Sequence, residues 1–193
     1  MAVFIANGED KLMRKNTRAY LSVGAFILFM VIAFFIYQSL GKSYDPPSLA
    51  PEETAAATDF SVMDSQGERV QLSDFYGKPI IVNLWATWCP YCREEMPMLE
   101  EKYKQYGEDI VFLMIDIADG KQETVEIAKA YIEDNGFTFP VYFDTDLEAI
   151  YAYNPSGTLP FTFFIDKSGK LSSYQPGKLS EEALDRTIES LLK

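Results

Sequence analysis

The sequence predicts an α/β domain with a partly parallel, partly antiparallel sheet, preceded by one transmembrane helix. Three observations support this. Two apolar runs, Ile80–Trp85 and Asp109–Ile117, each lead into a stretch of helical spacing, the pattern of strands buried on both faces and followed by crossover helices. A hairpin and an amphipathic helix close the chain, adding antiparallel pairing to the parallel units. The 23 residues Ala19–Gly41 contain no charged side chain.

At 1.5 Å per residue those 23 residues make a helix of about 34 Å, enough to cross a hydrocarbon core of ~30 Å. Tyr20 and Tyr37 sit near its ends, where interfacial aromatics belong. Residues 1–18 form a short basic segment with Lys11, Arg14, Lys15 and Arg18 against Glu9 and Asp10, while Asp45, Glu52 and Glu53 follow the span. The positive-inside rule then puts the N-terminus in the cytoplasm and the C-terminal domain outside. A signal anchor, a cleaved signal peptide and a buried core helix are the competing readings. The run is longer than a signal-peptide core and Ala55-Ala56-Ala57 lies far past it, which favours a retained anchor at the cell membrane. Residues 42–58, with Pro46, Pro47, Pro51 and small and acidic side chains, read as an extended tether.

The domain is expected over residues 59–193. Alternation from Phe60 to Leu72 with a turn at Gly67 predicts a hairpin. Ile80–Trp85 is the first buried strand. Cys89–Gln105 has Met96, Leu99 and Tyr103 at helical spacing, with Pro97 as a kink. Asp109–Ile117 is the second buried strand. Gln122–Asn135 is helical and stops at Gly136, and Val141–Phe143 is a short strand. A short helix over Leu147–Tyr153 and a loop over Asn154–Gly157 precede the hairpin Phe161–Ile165, Asp166–Gly169 and Lys170–Tyr174. Ser180 opens the last helix, with Leu184, Ile188, Leu191 and Leu192 on one face.

Composition excludes several functions. Net charge is −12; residues 1–41 carry +2 and the remainder −14. An acidic domain without a basic stripe does not bind nucleic acid. There is no histidine, which removes Ser-His and Cys-His catalysis and His-ligated metal sites. The only cysteines are Cys89 and Cys92, spaced C-x-x-C at the junction of a strand and a helix. Two thiols at that spacing form a two-electron switch that works by thiol exchange alone, with no cofactor or metal expected. Two structural cysteines, or half of an interchain zinc site, are the alternatives.

A thiol at a helix start meets unpaired N–H groups and the positive end of the dipole, both of which favour thiolate. Cys89 is therefore the expected exposed, low-pKa nucleophile, and Cys92, one turn later and facing inward, the resolving thiol. Pro90 suits the first helical position.

Trp85-Ala-Thr-Trp-Cys-Pro-Tyr-Cys92 after Ile80-Ile-Val-Asn-Leu84 resembles the active site of the thioredoxin superfamily, and Gly157-Thr-Leu-Pro160-Phe-Thr-Phe-Phe-Ile-Asp166 resembles its cis-proline loop. Cys92-Arg-Glu-Glu95-Met-Pro97, the anchor and the hairpin at 59–72 resemble the membrane-anchored TlpA/ResA type of thiol–disulfide oxidoreductase. The resemblance implies a thioredoxin-like fold with an N-terminal β-hairpin and a central helix–strand insertion at residues 119–153. It implies that Pro160 is cis beside the cysteines, and that Leu159 offers backbone groups to a substrate strand. An ordinary loop proline is the alternative for Pro160.

Asn83 stands where thioredoxin proper has a buried aspartate. Glu95, three residues after Cys92, shares the helix face of the cysteines. It becomes the candidate proton group for Cys92, against the alternative of a solvated carboxylate like Glu94. Trp88 is expected to cover the disulfide; Trp85 fits a core role equally well. The function implied is an extracytoplasmic protein-disulfide reductase acting on partner thiols and disulfides, such as apocytochromes c or oxidase assembly factors, with a membrane thiol carrier as electron donor. A thiol peroxidase and a metal-binding assembly chaperone are the competing functions. The chain lacks the peroxiredoxin cysteine arrangement, and also the C-x-x-x-C and histidine of Sco-type copper proteins.

Overall fold

The computed structural model describes residues 26, 28–32, 55–154 and 156–193. Phe26 and 28–32 are helical and exposed. The rest of the expected span 19–41, residues 1–18 and most of the tether lie outside the described residues. Among the described residues no helix is long and apolar enough to cross a membrane.

From Ala55 onward the chain forms a seven-stranded sheet flanked by helices. In chain order the elements are β1 (Ser61–Met63), β2 (Arg69–Gln71), a 3-10 turn (Leu72–Phe75), β3 (Ile80–Trp85), α1 (Pro90–Tyr106), β4 (Val111–Asp116), α2 (Val125–Asn135), β5 (Val141–Phe143), α3 (Glu148–Tyr153), β6 (Phe161–Ile165), β7 (Leu171–Pro176) and α4 (Glu181–Leu191). The sheet order is β2-β1-β5-β4-β3-β6-β7. β3, β4 and β5 run parallel, and the other neighbours are antiparallel.

Strand alternation sorts the core into two layers. Ile81 and Trp85 of β3 and Phe112 and Met114 of β4 pack with Met96 and Leu99 of α1, Ala128 of α2, and Leu184 and Ile188 of α4. Ile80, Val82 and Leu84, with Leu113 and Ile115, pack on the other face with Ala149, Ile150 and Tyr153 of α3. Both parallel crossovers advance across the sheet in the same direction, so right-handed connections put α1 and α2 on one face. All six residues of β3 are buried, as its central place in the sheet requires.

Local chemistry sets the ends of these elements. Thr124 caps α2 by accepting the Ile127 N–H, and Gly136 closes it in the left-handed region at φ 68°. Ser180 caps α4. α1 runs through Pro97 without a break. The insertion is fastened to α1 by Glu100, which accepts from the Thr138 hydroxyl at 2.6 Å, the Thr138 N–H at 2.8 Å and the Phe139 N–H at 3.2 Å.

One difference concerns the tether. Its last residues are part of the domain: Ala56 bridges Lys170, the Ala57 N–H donates to Gly169 O, and the Leu171 N–H donates to Ala55 O. Composition conceals this, because small side chains read as linker while the pairing is made by backbone groups, with Ala57 packed on the cluster beneath.

Candidate active site

β3 delivers the motif. Its last residue, Trp85, pairs with Asp116 of β4, and Leu84 pairs with Phe161 of β6. A tight turn follows, in which the Cys89 N–H donates to Ala86 O at 3.1 Å. Cys89 then caps α1: its backbone is extended at φ −84°, ψ 111°, Pro90 takes the first helical position, and the Cys89 sulfur accepts the Cys92 N–H at 3.1 Å. That N–H is one of the donors a helix start leaves unpaired. Cys89 and Cys92 are joined as a disulfide with their Cα atoms 5.3 Å apart.

The expectation that Cys89 is exposed is corrected here. It is 2% exposed and Cys92 is fully buried. As a cap, Cys89 folds its sulfur back over the first turn of α1 and ties it to the inward-facing Cys92. The exposed surface belongs instead to its neighbours Trp88 and Tyr91, at 46% and 59%. Trp85 is fully buried, with its ring 6.0 Å from that of Tyr131 on α2, so it belongs to the core.

The Leu159–Pro160 bond is cis. Pro160 is buried and Leu159 half-buried. Phe161, next in sequence, pairs with Leu84, so this bond lies at the end of the sheet that carries the disulfide. Leu159 packs against the hydrophobic cluster that contains both cysteines. The Pro160 carbonyl is taken by the Gly177 N–H at 2.9 Å.

Glu95 differs sharply from Glu94. Glu94 is exposed and pairs with Lys178 at 2.6 Å. Glu95 is 1% exposed. Asn83 Nδ2 donates to its Oε1 at 2.7 Å and the Leu179 N–H donates to its Oε2 at 2.9 Å. Asn83 Nδ2 also donates to the Thr162 hydroxyl at 2.9 Å. Burial pushes the Glu95 carboxyl up to about 7, against the lowering effects of the Leu179 N–H, the Asn83 amide and the Lys178 charge. A carboxyl poised near neutrality, one turn from Cys92 on the same helix, can take up or return a proton at working pH.

A second group of buried acids stands on the same sheet face and did not emerge from sequence reasoning. Asp116 ends β4, fully buried, and among the described residues neither carboxyl oxygen has a hydrogen-bond partner. Glu123, before α2, is also buried; its Oε2 accepts the Thr87 N–H at 3.1 Å and the Thr87 hydroxyl at 2.8 Å. Burial, then the charges of Glu123 and Asp119, push Asp116 up to about 9. Burial also raises Glu123, opposed by the Thr87 hydroxyl and N–H and the Trp88 N–H. The available signal was an acid closing an apolar strand, Val111–Asp116. Among the described residues no cluster of three or more His, Cys, Asp or Glu is arranged to hold a metal ion.

Comparison with known proteins agrees with this geometry. The AhpC/TSA family profile matches residues 54–174. The thiol-disulfide oxidoreductase ResA of Geobacillus kaustophilus is 30% identical over 93% of this chain and 99% of its own. ResA of Bacillus anthracis is 31% identical with the same coverage. Among solved structures, the exposed lipoprotein thioredoxin Etrx1 of Streptococcus pneumoniae superposes with a TM-score of 0.61 at 30% identity, covering 69% of this chain and 100% of that one. A thioredoxin-family thiol:disulfide interchange protein of Chlorobium tepidum gives 0.62 at 29% identity, covering 75% and 100%. With a thioredoxin-like fold, a C-x-x-C pair closed at a helix start and these relatives, the chain belongs to the AhpC/TSA family and, within it, to the ResA-type thiol–disulfide oxidoreductases.

Proposed function

We propose that this oxidoreductase works outside the cytoplasm, held to the membrane by residues 19–41, and that it reduces disulfides in selected partner proteins. Apocytochromes c and oxidase assembly factors are the partner class, as in cytochrome c-type biogenesis, and a membrane thiol carrier returns the electrons. The placement rests on the uncharged 19–41 span with its basic N-terminal flank.

The observation that carries the chemistry is the cap geometry of Cys89, with the buried Glu95 one turn from Cys92 on the same helix. In the reduced protein, the Cys92 N–H and the start of α1 stabilise a Cys89 thiolate. That thiolate attacks one sulfur of the partner disulfide; the other partner sulfur leaves as thiolate, and a mixed disulfide forms. Glu95, as carboxylate, takes the Cys92 proton. Cys92 thiolate attacks Cys89 Sγ, the second partner sulfur leaves, and Cys89–Cys92 closes. Two electrons pass to the partner, whose two thiolates take up protons. Trp88, Leu159 and Pro160 form the receiving face, with the Leu159 backbone meeting an extended partner segment. The Glu95–Asn83–Thr162 chain suits both protonation states, because the Thr162 hydroxyl can donate or accept and the Asn83 amide can turn over.

Cys92→Ala in the native cell tests this reading. It should leave mixed disulfides on Cys89 whose partners are reduced less well when the protein is absent. Partners found more reduced in its absence would reverse the direction. Retention of the full chain in membranes after alkaline carbonate washing tests the anchor.

A further inference from the structure

The Asp116 and Glu123 carboxyls are placed to work as one unit. Trp85 and Asp116 are paired in register on adjacent parallel strands, so their side chains emerge on the same face. There the Trp85 indole N–H, both Asp116 oxygens and Glu123 Oε1 are all buried and without a hydrogen-bond partner among the described residues. The charged side chains acting on Asp116 are Glu123 and Asp119, both acidic. Asp119 is engaged elsewhere, accepting the N–H groups of Lys121, Gln122 and Glu123. Asp144 donates its N–H to the Asp116 carbonyl at 2.8 Å, while its own carboxyl accepts from Ile150 at the start of α3. From α2, Tyr131 lies against Trp85, with Arg93 of α1 near enough to Tyr131 to act on its hydroxyl.

Two buried acids with no cation beside them among the described residues cannot both ionise cheaply. The hydrogen bonds decide which one does. Glu123 receives two donors from Thr87 and suits the carboxylate. Asp116 receives none and suits the neutral acid. A protonated Asp116 also adds a donor, its O–H, to a buried group whose other unpaired carboxyl oxygens, the second Asp116 oxygen and Glu123 Oε1, can only accept.

We propose that Asp116 holds a proton at neutral pH so that Glu123 stays ionised and clamps Thr87, making the pair positioning residues for Cys89. Thr87 is the middle of the turn that delivers the nucleophile, between Ala86, whose carbonyl receives the Cys89 N–H, and Trp88. Loosening the clamp frees that turn and the exposed Trp88 with it. Ionising Asp116 places a second negative charge beside Glu123, whose carboxylate holds the turn leading to Cys89, and so opposes a Cys89 thiolate. This rests on the exchange chemistry, whichever way the electrons run.

The test uses the reduced full chain in detergent micelles, infrared spectroscopy, and the rate of reaction of Cys89 with a small aromatic disulfide from pH 6 to pH 11. At pH 8, above the Glu95 transition, the wild type should keep a protonated-carboxyl band that Asp116→Asn removes. Glu123→Gln and Thr87→Val should each slow Cys89 severalfold and shift Trp88 fluorescence. Asp116→Asn should remove an alkaline bend in the wild-type rate profile. No protonated-carboxyl band at pH 8 in the wild type overturns the proposal without any variant having to fold. So do folded Glu123→Gln and Thr87→Val proteins that react at the wild-type rate across the range.

Discussion

Glu95 and Asp116 are both buried acids on the same sheet face, yet they differ in their neighbours. Each Glu95 oxygen has a donor, from Asn83 and from Leu179. Among the described residues neither Asp116 oxygen has one, and the charges acting on it are acidic. Burial raises both, but the Glu95 donors hold its proton near neutrality at about 7, whereas that of Asp116 stays bound up to about 9. Equal burial thus produces a mobile proton in one place and a fixed one in the other. The first lies one turn from Cys92; the second lies on the strand paired with Trp85, the residue that leads into the turn before Cys89.

The comparison breaks most severely at the sulfurs it serves. Cys89→Ser should reduce exchange with a small disulfide to the uncatalysed background, with or without either acid. Glu95→Gln comes next: loss of a positioned proton acceptor should slow turnover about 100-fold at pH 7, measured with a model disulfide protein.

Stability against pH separates the two acids more finely. Each binds its proton more tightly in the folded than in the unfolded protein, so folding stability falls as pH rises from the ordinary carboxylate range through the folded value. For Glu95 that loss continues through about pH 7, is nearly complete by pH 7.5, and amounts to roughly 3–4 kcal/mol at most. For Asp116 it continues to about pH 9. Urea midpoints should therefore still fall between pH 7.5 and pH 9 in Glu95→Gln and stay level over that range in Asp116→Asn. A wild-type midpoint that stays level from pH 4 to pH 9 would contradict both assignments. The smallest effect belongs to the exposed neighbour: Glu94→Gln removes only the surface pair with Lys178 and should leave rate and midpoint at wild-type values.

The strands and helices were legible because their signals are local. Ile80–Trp85 is an unbroken apolar run, Gly136 and Ser180 mark helix ends, and the C-x-x-C spacing stands alone in the chain. Glu95 was legible as a position on the cysteine face of α1, but its environment was not. Its partners come from β3 and the segment before α4, where Asn83 and the Leu179 N–H reach it, and from β6, where Thr162 holds Asn83. The exposure of Cys89 was misjudged for a similar reason. Spacing places a thiol at a helix start, while its accessibility depends on where the capping sulfur turns and what packs over it. Asp116 and Glu123 were illegible as a pair because no residue pattern marks them; the Asp119–Gly120 turn folds Glu123 back and Thr87, delivered by β3 beside β4, holds its carboxyl. Ala55–Ala57 was hidden by composition, since its pairing uses no side chain.

The central claim is that a buried carboxyl at Glu95 controls proton traffic for the cysteine pair. The pH dependence of thiol alkylation in the reduced protein, followed at Cys89 and Cys92 separately by mass spectrometry, tests it most directly. The wild type should show an inflection near pH 7 that Glu95→Gln abolishes while the fold, followed by circular dichroism, is retained. Superimposable wild-type and Glu95→Gln profiles from pH 5 to pH 9 would contradict it.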